Sequence, residues 1–127
     1  MLDGAPRAET LVTVVDDDES IRESLPALLG VLGYQTKVFA SAEELLASDC
    51  LPDTRCLILD IVLPGLSGPQ LQRELIRRGR TIPAIFITAL SEQSIPPDLL
   101  QYGAVDCLFK PFSEQDLRDA LAAALVP

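Results

Sequence analysis

The chain has 127 residues, with 10 Lys and Arg against 19 Asp and Glu, which gives a formal net charge of −9 at pH 7. Its length and its 48% hydrophobic content suit one domain with one core. The acidic balance would repel phosphate backbones and anionic lipids, which argues against direct binding to nucleic acid or membranes. The absence of histidine excludes Ser-His-Asp and Cys-His catalysis, imidazole metal ligands and a phosphohistidine on this chain.

The cysteines and the hydropathy pattern indicate a reducing compartment. Cys50, Cys56 and Cys107 are odd in number, form no CxxC pair and lie within or beside apolar segments, so we expect reduced core residues. No stretch approaches the roughly 18 apolar residues of a membrane span, and the start MLDGAPRAET lacks the apolar centre of a signal peptide. We therefore expect a soluble, cytoplasmic protein.

Short β-rich runs alternate with helical patterns along the chain. The predicted strands are Leu11–Val15, Gln35–Phe39, Cys56–Asp60, Ala84–Thr88 and Asp106–Phe109. The first, third and fourth are nearly continuous in Val, Ile and Leu, as buried parallel strands are. Leucines at helical spacing between the runs predict helices that pack on the sheet. This alternation predicts βα units with right-handed crossovers and helices on both faces of a parallel sheet.

Local signals mark the helix boundaries. These signals are the capping-box patterns Ser41-x-x-Glu44 and Ser113-x-x-Asp116, Pro69 at a first helical position and Gly33 at a helix end. Pro26 lies inside the first predicted helix, where it removes one backbone hydrogen bond. Pro96 and Pro97 leave room for only about two turns in a fourth helix, which we expect to be short.

Polar side chains follow four of the strands at the point where each strand ends. Asp16, Asp17 and Asp18 follow the first strand, Asp60 ends the third, Thr88 ends the fourth and Lys110 follows the fifth. Because the carboxyl ends of parallel strands meet at the edge where open α/β sheets bind ligands, we expect these side chains to lie together. Carboxylates, a hydroxyl and a lysine in one place predict a divalent-cation site that faces a phosphoryl group.

A plainer interpretation exists for each of these residues taken alone. The three consecutive aspartates could complement a helix dipole, and Asp18 suits a helix cap. Thr88 could be an ordinary strand residue and Lys110 a solvated charge. Asp60 differs because it interrupts the apolar run CLILDIVLP, where an unpaired carboxylate would be costly. The functional interpretation depends on the joint position of all of them.

Five fragments stand in the order and at the spacing of one known family: VVDDDESIRESL, LILDIVLPGLSG, ITA, GAVD and KPF. The chain resembles the receiver domain of bacterial two-component response regulators, of the FixJ-type and CheY-like kind. The resemblance implies an α/β fold with a doubly wound five-stranded parallel sheet, (βα)5 and flavodoxin-like, in strand order 2-1-3-4-5. It would span residues 8–127, with residues 1–7 as a flexible tail.

The resemblance also implies roles for the residues at the strand ends. Asp17 and Asp60 would bind Mg²⁺ directly with the backbone carbonyl of Val62, and Asp16 would hold a metal-bound water. Asp60 would accept a phosphoryl group from the phosphohistidine of a partner sensor histidine kinase. Lys110 and Thr88 would contact the phosphoryl oxygens. Such a domain is a phosphoacceptor in a phosphorelay and not a classical enzyme, since it catalyses only its own phosphoryl transfer and slow autodephosphorylation.

Further implications concern the output of such a domain. The family likeness predicts control of transcription through an output domain absent from this chain, and a homodimer through the fourth helix, fifth strand and fifth helix. Receivers usually carry an aromatic residue three positions before the lysine, but this chain has Cys107 there. Tyr102 and Phe109 are the nearby aromatic residues. Val62 and Leu90 would flank the approach of a hydrolytic water to the phosphoryl group.

Two other function classes compete with this interpretation. Asp16-x-Asp18-x-Ser20 resembles the nucleophile motif of haloacid dehalogenase-type phosphatases, with Asp16 as nucleophile and Asp18 as general acid. That family also needs a second acidic metal motif after its lysine, which the segment after Lys110 does not supply, and it leaves Asp60 unexplained. A degenerate receiver that acts only as a binding module is the third class, and the complete set of site residues argues against it.

Overall fold

The computed structural model describes residues 10–95, 99 and 104–125. Within them, five strands form one parallel sheet in the order β2-β1-β3-β4-β5, which confirms the predicted doubly wound flavodoxin-like fold. The strands are β1 (Leu11–Val15), β2 (Gln35–Phe39), β3 (Thr54–Asp60), β4 (Ala84–Thr88) and β5 (Ala104–Phe109). The chain therefore runs outward from β1 in both directions, and β2 and β5 are the edge strands.

The described part of the chain has three helices between strands and one after β5: α1 (Glu19–Val31), α2 (Ala42–Ala47), α3 (Gly68–Arg77) and α4 (Glu114–Ala124). The 3₁₀ turns Leu51–Asp53 and Glu92–Ser94 add two shorter elements. Helix α4 is the fifth helix predicted from the sequence. The predicted fourth helix, with Tyr102, lies largely outside the described residues, as does the predicted tail of residues 1–7.

Two strands begin earlier than their apolar runs suggested. Strand β3 starts at Thr54, which pairs with Leu11 of β1. The buried Thr54 hydroxyl lies 2.8 Å from the Thr13 hydroxyl on β1 and donates to the carbonyl oxygen of Cys50 at 2.8 Å. Strand β5 starts at Ala104, which pairs with Ala84 of β4. Backbone pairing extends both strands beyond the segments that hydropathy alone identifies.

Alternation along the central strands fills two apolar layers, one on each face of the sheet. The layer toward α2 and α3 contains Leu57, Leu59, Phe86, Leu71 and Leu75, all fully buried. The layer toward α1 and α4 contains Cys56, Ile58, Ile85, Leu29 and Leu117, also fully buried. This pattern explains the continuous apolar runs of the sequence, because a strand covered on both faces needs apolar residues at every position.

The helix boundaries confirm most of the local signals. Ser113 and Asp116 form a full capping box at the start of α4, and Gly33 takes a positive φ of 98° after the end of α1. The expected box at α2 is only half formed, because Glu44 accepts a hydrogen bond from the Ala40 amide and not from the amide of Ser41. At α3 the sequence interpretation missed a full box between Ser67 and Gln70, although an S-x-x-Q pattern marks it.

The cysteines follow the prediction in part. Cys50 and Cys56 are buried and Cys107 is half-buried, all as free thiols. Burial raises the pKa of the Cys56 thiol to about 12, so this side chain behaves as a small apolar core residue. Within the same described residues, no helix combines the length and apolar character that crossing a membrane would require.

Candidate functional site

The carboxyl ends of the central strands bring the predicted acids into one place. Asp16 follows β1 and is fully buried, and Asp60 ends β3 with only 6% of its surface exposed. Asp17, the next residue after Asp16, is exposed. One carboxylate oxygen from each of the three lies within 4.8 Å of the other two. The sheet therefore forms a small acidic site whose floor is buried and whose rim faces solvent.

Lys110 is the residue directly after β5, and its side chain extends into this site. Its Nζ lies 2.8 Å from Oδ2 of Asp16 and 3.3 Å from Oδ2 of Asp60. The backbone holds it there, because the Lys110 amide donates to the Thr88 carbonyl oxygen at 2.7 Å. The Lys110–Pro111 peptide bond is cis. The lysine thus bridges two carboxylates, and the closer one is Asp16.

The electrostatics follow from this burial. Removal of Asp60 from water, with Asp16 nearby, raises the pKa of the Asp60 carboxyl to about 6, although Lys110 and the Val62 amide oppose the shift. Burial alone would lower the pKa of the Lys110 ammonium, but Asp16 and Asp60 together raise it above its usual value. The lysine therefore stays charged at neutral pH and offsets only part of the negative charge around it.

Backbone amides fix the orientation of the acidic side chains. The Val62 amide donates to Oδ1 of Asp60 at 3.1 Å, and the Asp18 amide donates to Oδ1 of Asp16 at 2.9 Å. The carbonyl oxygen of Asp16 accepts from Nη1 of Arg22 at 2.9 Å. Each buried carboxylate thus has one oxygen held by an amide and the other beside Lys110, which leaves little rotational freedom to either side chain.

Asp18 and Thr88 occupy different places in this arrangement. Asp18 is the N-cap of α1, where its carboxylate accepts from the amide and hydroxyl of Ser20 at 3.0 and 2.8 Å. The hydrogen bonds from Ser20 lower the pKa of the Asp18 carboxyl. Thr88 is fully buried at the end of β4, and its hydroxyl accepts from the Leu90 amide at 3.0 Å. The cap assigned to Asp18 from the sequence is therefore confirmed.

The donor set fits a hard divalent cation. Carboxylate oxygens are the ligands that Mg²⁺ and Ca²⁺ prefer, and an exposed Asp17 beside two buried acids leaves one side open for water. Burial and Asp16 already penalise the charged form of Asp60, so a bound cation would relieve repulsion in this site. Asp16, Asp17 and Asp60 are the side chains that could hold it, and the carbonyl of Val62 stays a predicted ligand.

Gly68 is a residue that the sequence interpretation did not single out. It begins α3, and its amide donates to the Ile61 carbonyl oxygen at 3.1 Å. A Cβ at this position would lie 2.3 Å from the carbonyl oxygen of Asp60 and 3.1 Å from Cε1 of Phe86. Only glycine lets α3 start this close to the backbone of Asp60. The Gly-Pro pair at positions 68 and 69 was the available signal.

Comparison with known proteins decides the family. A model of the response regulator receiver domain family matches residues 12–122. The chain belongs to this family. Receiver domains are signalling domains of two-component systems.

Individual relatives agree with this assignment. The chain is 45% identical over 116 residues to Nodulation protein W of Bradyrhizobium diazoefficiens, which covers 91% of this chain and 51% of that protein. Other relatives are named as transcriptional regulatory proteins, and the chain spans about half the length of the curated relatives it matches.

Solved receiver structures share the fold. The structure of FixJ-N is similar with a TM-score of 0.81 at 34% identity, over 100% of this chain and 99% of that one. TrrA of Thermotoga maritima, solved in complex with Mg²⁺ and BeF, is similar with a TM-score of 0.78 at 29% identity, over 91% of this chain and 99% of that one.

Proposed function

We propose that this receiver domain accepts a phosphoryl group on Asp60 from the phosphohistidine of a partner sensor histidine kinase, in a reaction that depends on Mg²⁺. The observation that carries the proposal is the position of Asp60, which lies at the end of a buried strand, near a second carboxylate and 3.3 Å from the ammonium of a lysine. A purely structural ion pair would need only one acid. Three clustered acids, two of them beside one lysine, suit a site that still has to receive positive charge.

The proposed transfer balances as follows. One carboxylate oxygen of Asp60 attacks phosphorus, a P–O bond forms and the P–N bond to the kinase imidazole breaks, with the electron pair leaving on the imidazole. Lys110 stays protonated and offsets charge on the phosphoryl oxygens, and the Thr88 hydroxyl, whose oxygen accepts from the Leu90 amide, keeps its own proton to donate to one of them. The Val62 amide keeps the carboxylate oriented before the attack.

Asp17 and Asp60 would bind the metal directly, Asp16 would hold a metal-bound water, and the backbone carbonyl of Val62 would be a further ligand. The cation supplies charge neutralisation for the carboxylates and the incoming phosphoryl group. The fit of the donor atoms to Mg²⁺, and the solved complex of the relative TrrA with Mg²⁺ and BeF, support this part of the proposal.

Mass spectrometry after treatment with acetyl phosphate and Mg²⁺ tests the assignment of Asp60. We expect one added phosphoryl group on the wild type and none on Asp60→Asn. Asp18→Asn is the matched control, because this exposed N-cap acid is next to the site but has no part in the transfer, and it should still be modified. A phosphoryl group that survives Asp60→Asn would contradict the proposal, and so would an unmodified wild type.

The same experiment separates the phosphatase alternative. A haloacid dehalogenase-type mechanism would pass through Asp16 with Asp18 as general acid. Two observations support the receiver assignment over this alternative. The Asp18 carboxylate accepts hydrogen bonds from Ser20 as a helix cap, and the carboxylates that contact Lys110 are those of Asp16 and Asp60. Turnover of acetyl phosphate that depends on Asp18 would reverse this preference.

We also propose that phosphorylation changes the face formed by the predicted fourth helix, β5 and α4, and that this face mediates a homodimer that controls transcription through an output domain. Strand β5 is an edge strand, and Phe109 on it is 37% exposed, which leaves apolar surface for a partner. Light scattering with and without beryllofluoride tests this. An unchanged mass, together with unchanged amide exchange at residues 91–112, would contradict it.

A further inference from the structure

A contact between α2 and the loop after β3 lies outside the roles assigned so far. Oε2 of Glu43 accepts a hydrogen bond from the amide of Leu66 at 2.9 Å, across 23 residues of sequence. Glu43 belongs to the first turn of α2, and Leu66 lies in the loop that connects Asp60 to α3. The contact joins a helix with no residue in the acidic site to the loop that leads out of that site.

The local backbone is shaped to allow this contact. Gly65 takes a positive φ of 74°, and a Cβ there would lie 2.5 Å from Oε2 of Glu43. A side chain at position 65 would therefore collide with the carboxylate, apart from the strain of its backbone conformation. The glycine and the glutamate fit each other, and neither feature is explained by the packing of the core.

Helix α2 gives Glu43 a firm base. Ala42 and Leu45, on either side of it, are fully buried in the apolar layer that also contains Leu57 and Phe86. The carboxylate is exposed, but the helix that carries it is anchored to the sheet. A hydrogen bond from an anchored carboxylate to a loop amide limits the loop more than a contact between two mobile surface groups does.

The loop that Glu43 holds is the one that presents Val62. Its far end is closed by the bond from the Gly68 amide to the Ile61 carbonyl and by the capping box of Ser67. Between these points the Val62 amide donates to Oδ1 of Asp60, and its carbonyl is the predicted metal ligand. Among these contacts, the hydrogen bond from the Leu66 amide to Glu43 is the one that ties the loop to a separate helix.

We infer that Glu43 is a positioning residue for the phosphoacceptor site: its bond to the Leu66 amide holds the β3–α3 loop in the conformation in which Val62 supports Asp60 and the metal. This inference rests on the proposed function for its link to Mg²⁺. The loop geometry itself does not depend on that function. Partners that orient metal ligands from outside typically change metal affinity by 10-fold or more, and an exposed contact belongs at the low end of that range.

Three variants test the inference. Glu43→Ala removes the acceptor, Glu43→Gln keeps an acceptor oxygen without the charge, and Glu44→Ala is the matched control. Glu44 is the next residue of α2 and also caps a backbone amide, that of Ala40, but it makes that bond within its own helix end. The first measurement is amide exchange at Val62 by NMR in the absence of Mg²⁺. We expect faster exchange in Glu43→Ala and wild-type rates in Glu43→Gln and Glu44→Ala.

The second measurement is the Mg²⁺ dissociation constant by calorimetry. We expect it to rise about tenfold in Glu43→Ala and to stay near the wild-type value in the other two variants. Equal weakening in Glu44→Ala would overturn the inference, because the effect would then come from α2 in general. Equal weakening in Glu43→Gln would overturn it too, since charge and not the hydrogen bond would be responsible. Unchanged exchange at Val62 in Glu43→Ala also overturns it.

The exchange measurement keeps this inference distinct from the proposed function. If wild type binds no Mg²⁺ while Val62 exchange responds to Glu43→Ala alone, the metal assignment fails and the positioning of the loop stands. If Mg²⁺ binds to wild type and to Glu43→Ala with equal affinity, the positioning role fails and the metal assignment stands.

Discussion

The middle of β3 and its carboxyl end are both buried, but the middle is apolar and the end carries an ionisable acid. Leu57, Ile58 and Leu59 are fully buried among apolar side chains on both faces of the sheet. One residue later, Asp60 is 6% exposed and faces Asp16 and Lys110. Burial stabilises the fold in the first region. In the second region it disfavours the charged carboxylate and raises the pKa of Asp60 to about 6. The apolar core and the proposed phosphoacceptor site are therefore separate along one strand.

The largest effect is expected in the apolar part of β3. Leu57→Ala should lower the free energy of unfolding by about 2–5 kcal/mol, because it leaves a cavity between the sheet and α3. Urea denaturation measures this. Val31→Ala is the control, since Val31 is 79% exposed and its truncation should change stability by no more than about 0.5 kcal/mol. Similar losses in both variants would contradict the assignment of the core.

Ligand binding should reverse the electrostatic penalty at the other end of the strand. Mg²⁺ at about 100 times its dissociation constant should stabilise the native state by about 2.7 kcal/mol and raise the melting temperature. Asp17→Asn should remove most of this shift, because Asp17 is one of the three acids within 4.8 Å of one another. Glu19→Gln, an exposed acid at the start of α1, should keep it. A wild type whose melting temperature ignores Mg²⁺ would refute the metal site.

The sequence predicts the residues of both regions of β3, but it does not predict the contacts of the charged end. Local sequence patterns predict both the buried apolar run from Leu57 to Leu59 and the acid that ends the strand. The partner of the lysine is not visible, since the distances of 2.8 Å to Asp16 and 3.3 Å to Asp60 depend on how the strands pack side by side. Strand order came from the family likeness, since hydropathy alone does not fix it.

Residues that act at long range carry the weakest sequence signal. Glu43 and Leu66 are 23 residues apart, and an exposed glutamate in a first helical turn looks like a simple dipole partner. Gly68 is similar, because a Cβ at this position would collide with the backbone of Asp60 and crowd the ring of Phe86. The Ser67 box, by contrast, had a local pattern and could have been predicted.

The pH dependence of stability gives a smaller test of the same comparison. The folded-state pKa of Asp60, about 6, lies above its usual value of 3.8, so the native state binds more protons than the unfolded state between these limits. In EDTA, the contribution of Asp60 should therefore fall as pH rises through this window. Asp60→Asn should be more stable than wild type at pH 7, by about 1–2 kcal/mol, and this difference should shrink toward pH 4.

Urea denaturation of both proteins from pH 4 to pH 7 measures this difference. Asp18→Asn serves as the control with the opposite sign, because hydrogen bonds lower the pKa of Asp18 and its loss should destabilise the protein at neutral pH. A difference between Asp60→Asn and wild type that does not change with pH would show that burial of Asp60 is not penalised in the folded state.

The smallest expected effect concerns the lifetime of the phosphoryl group that we propose for Asp60. Hydrolysis needs a water in line with the bond to Asp60, and in receivers the residues at the positions of Val62 and Leu90 flank its approach. Val62 is 56% exposed, and Leu90 packs partly against the core. Because neither side chain can hydrogen-bond a water and both can crowd it, the aspartyl phosphate should be long-lived. Replacement by Asn and Glu, as Val62→Asn with Leu90→Glu, should speed hydrolysis about tenfold, or about 1.4 kcal/mol of barrier.

The decay of label from purified phosphoprotein in Mg²⁺ measures this lifetime. The double variant Val62→Ala with Leu90→Ala separates the two causes, because truncation relieves crowding without supplying a polar group. If crowding controls the lifetime, the alanine variant should decay as fast as the Asn and Glu variant. If positioning of the water controls it, only the polar variant should decay faster. Equal lifetimes in all three proteins would show that the two side chains do not govern access of water to Asp60.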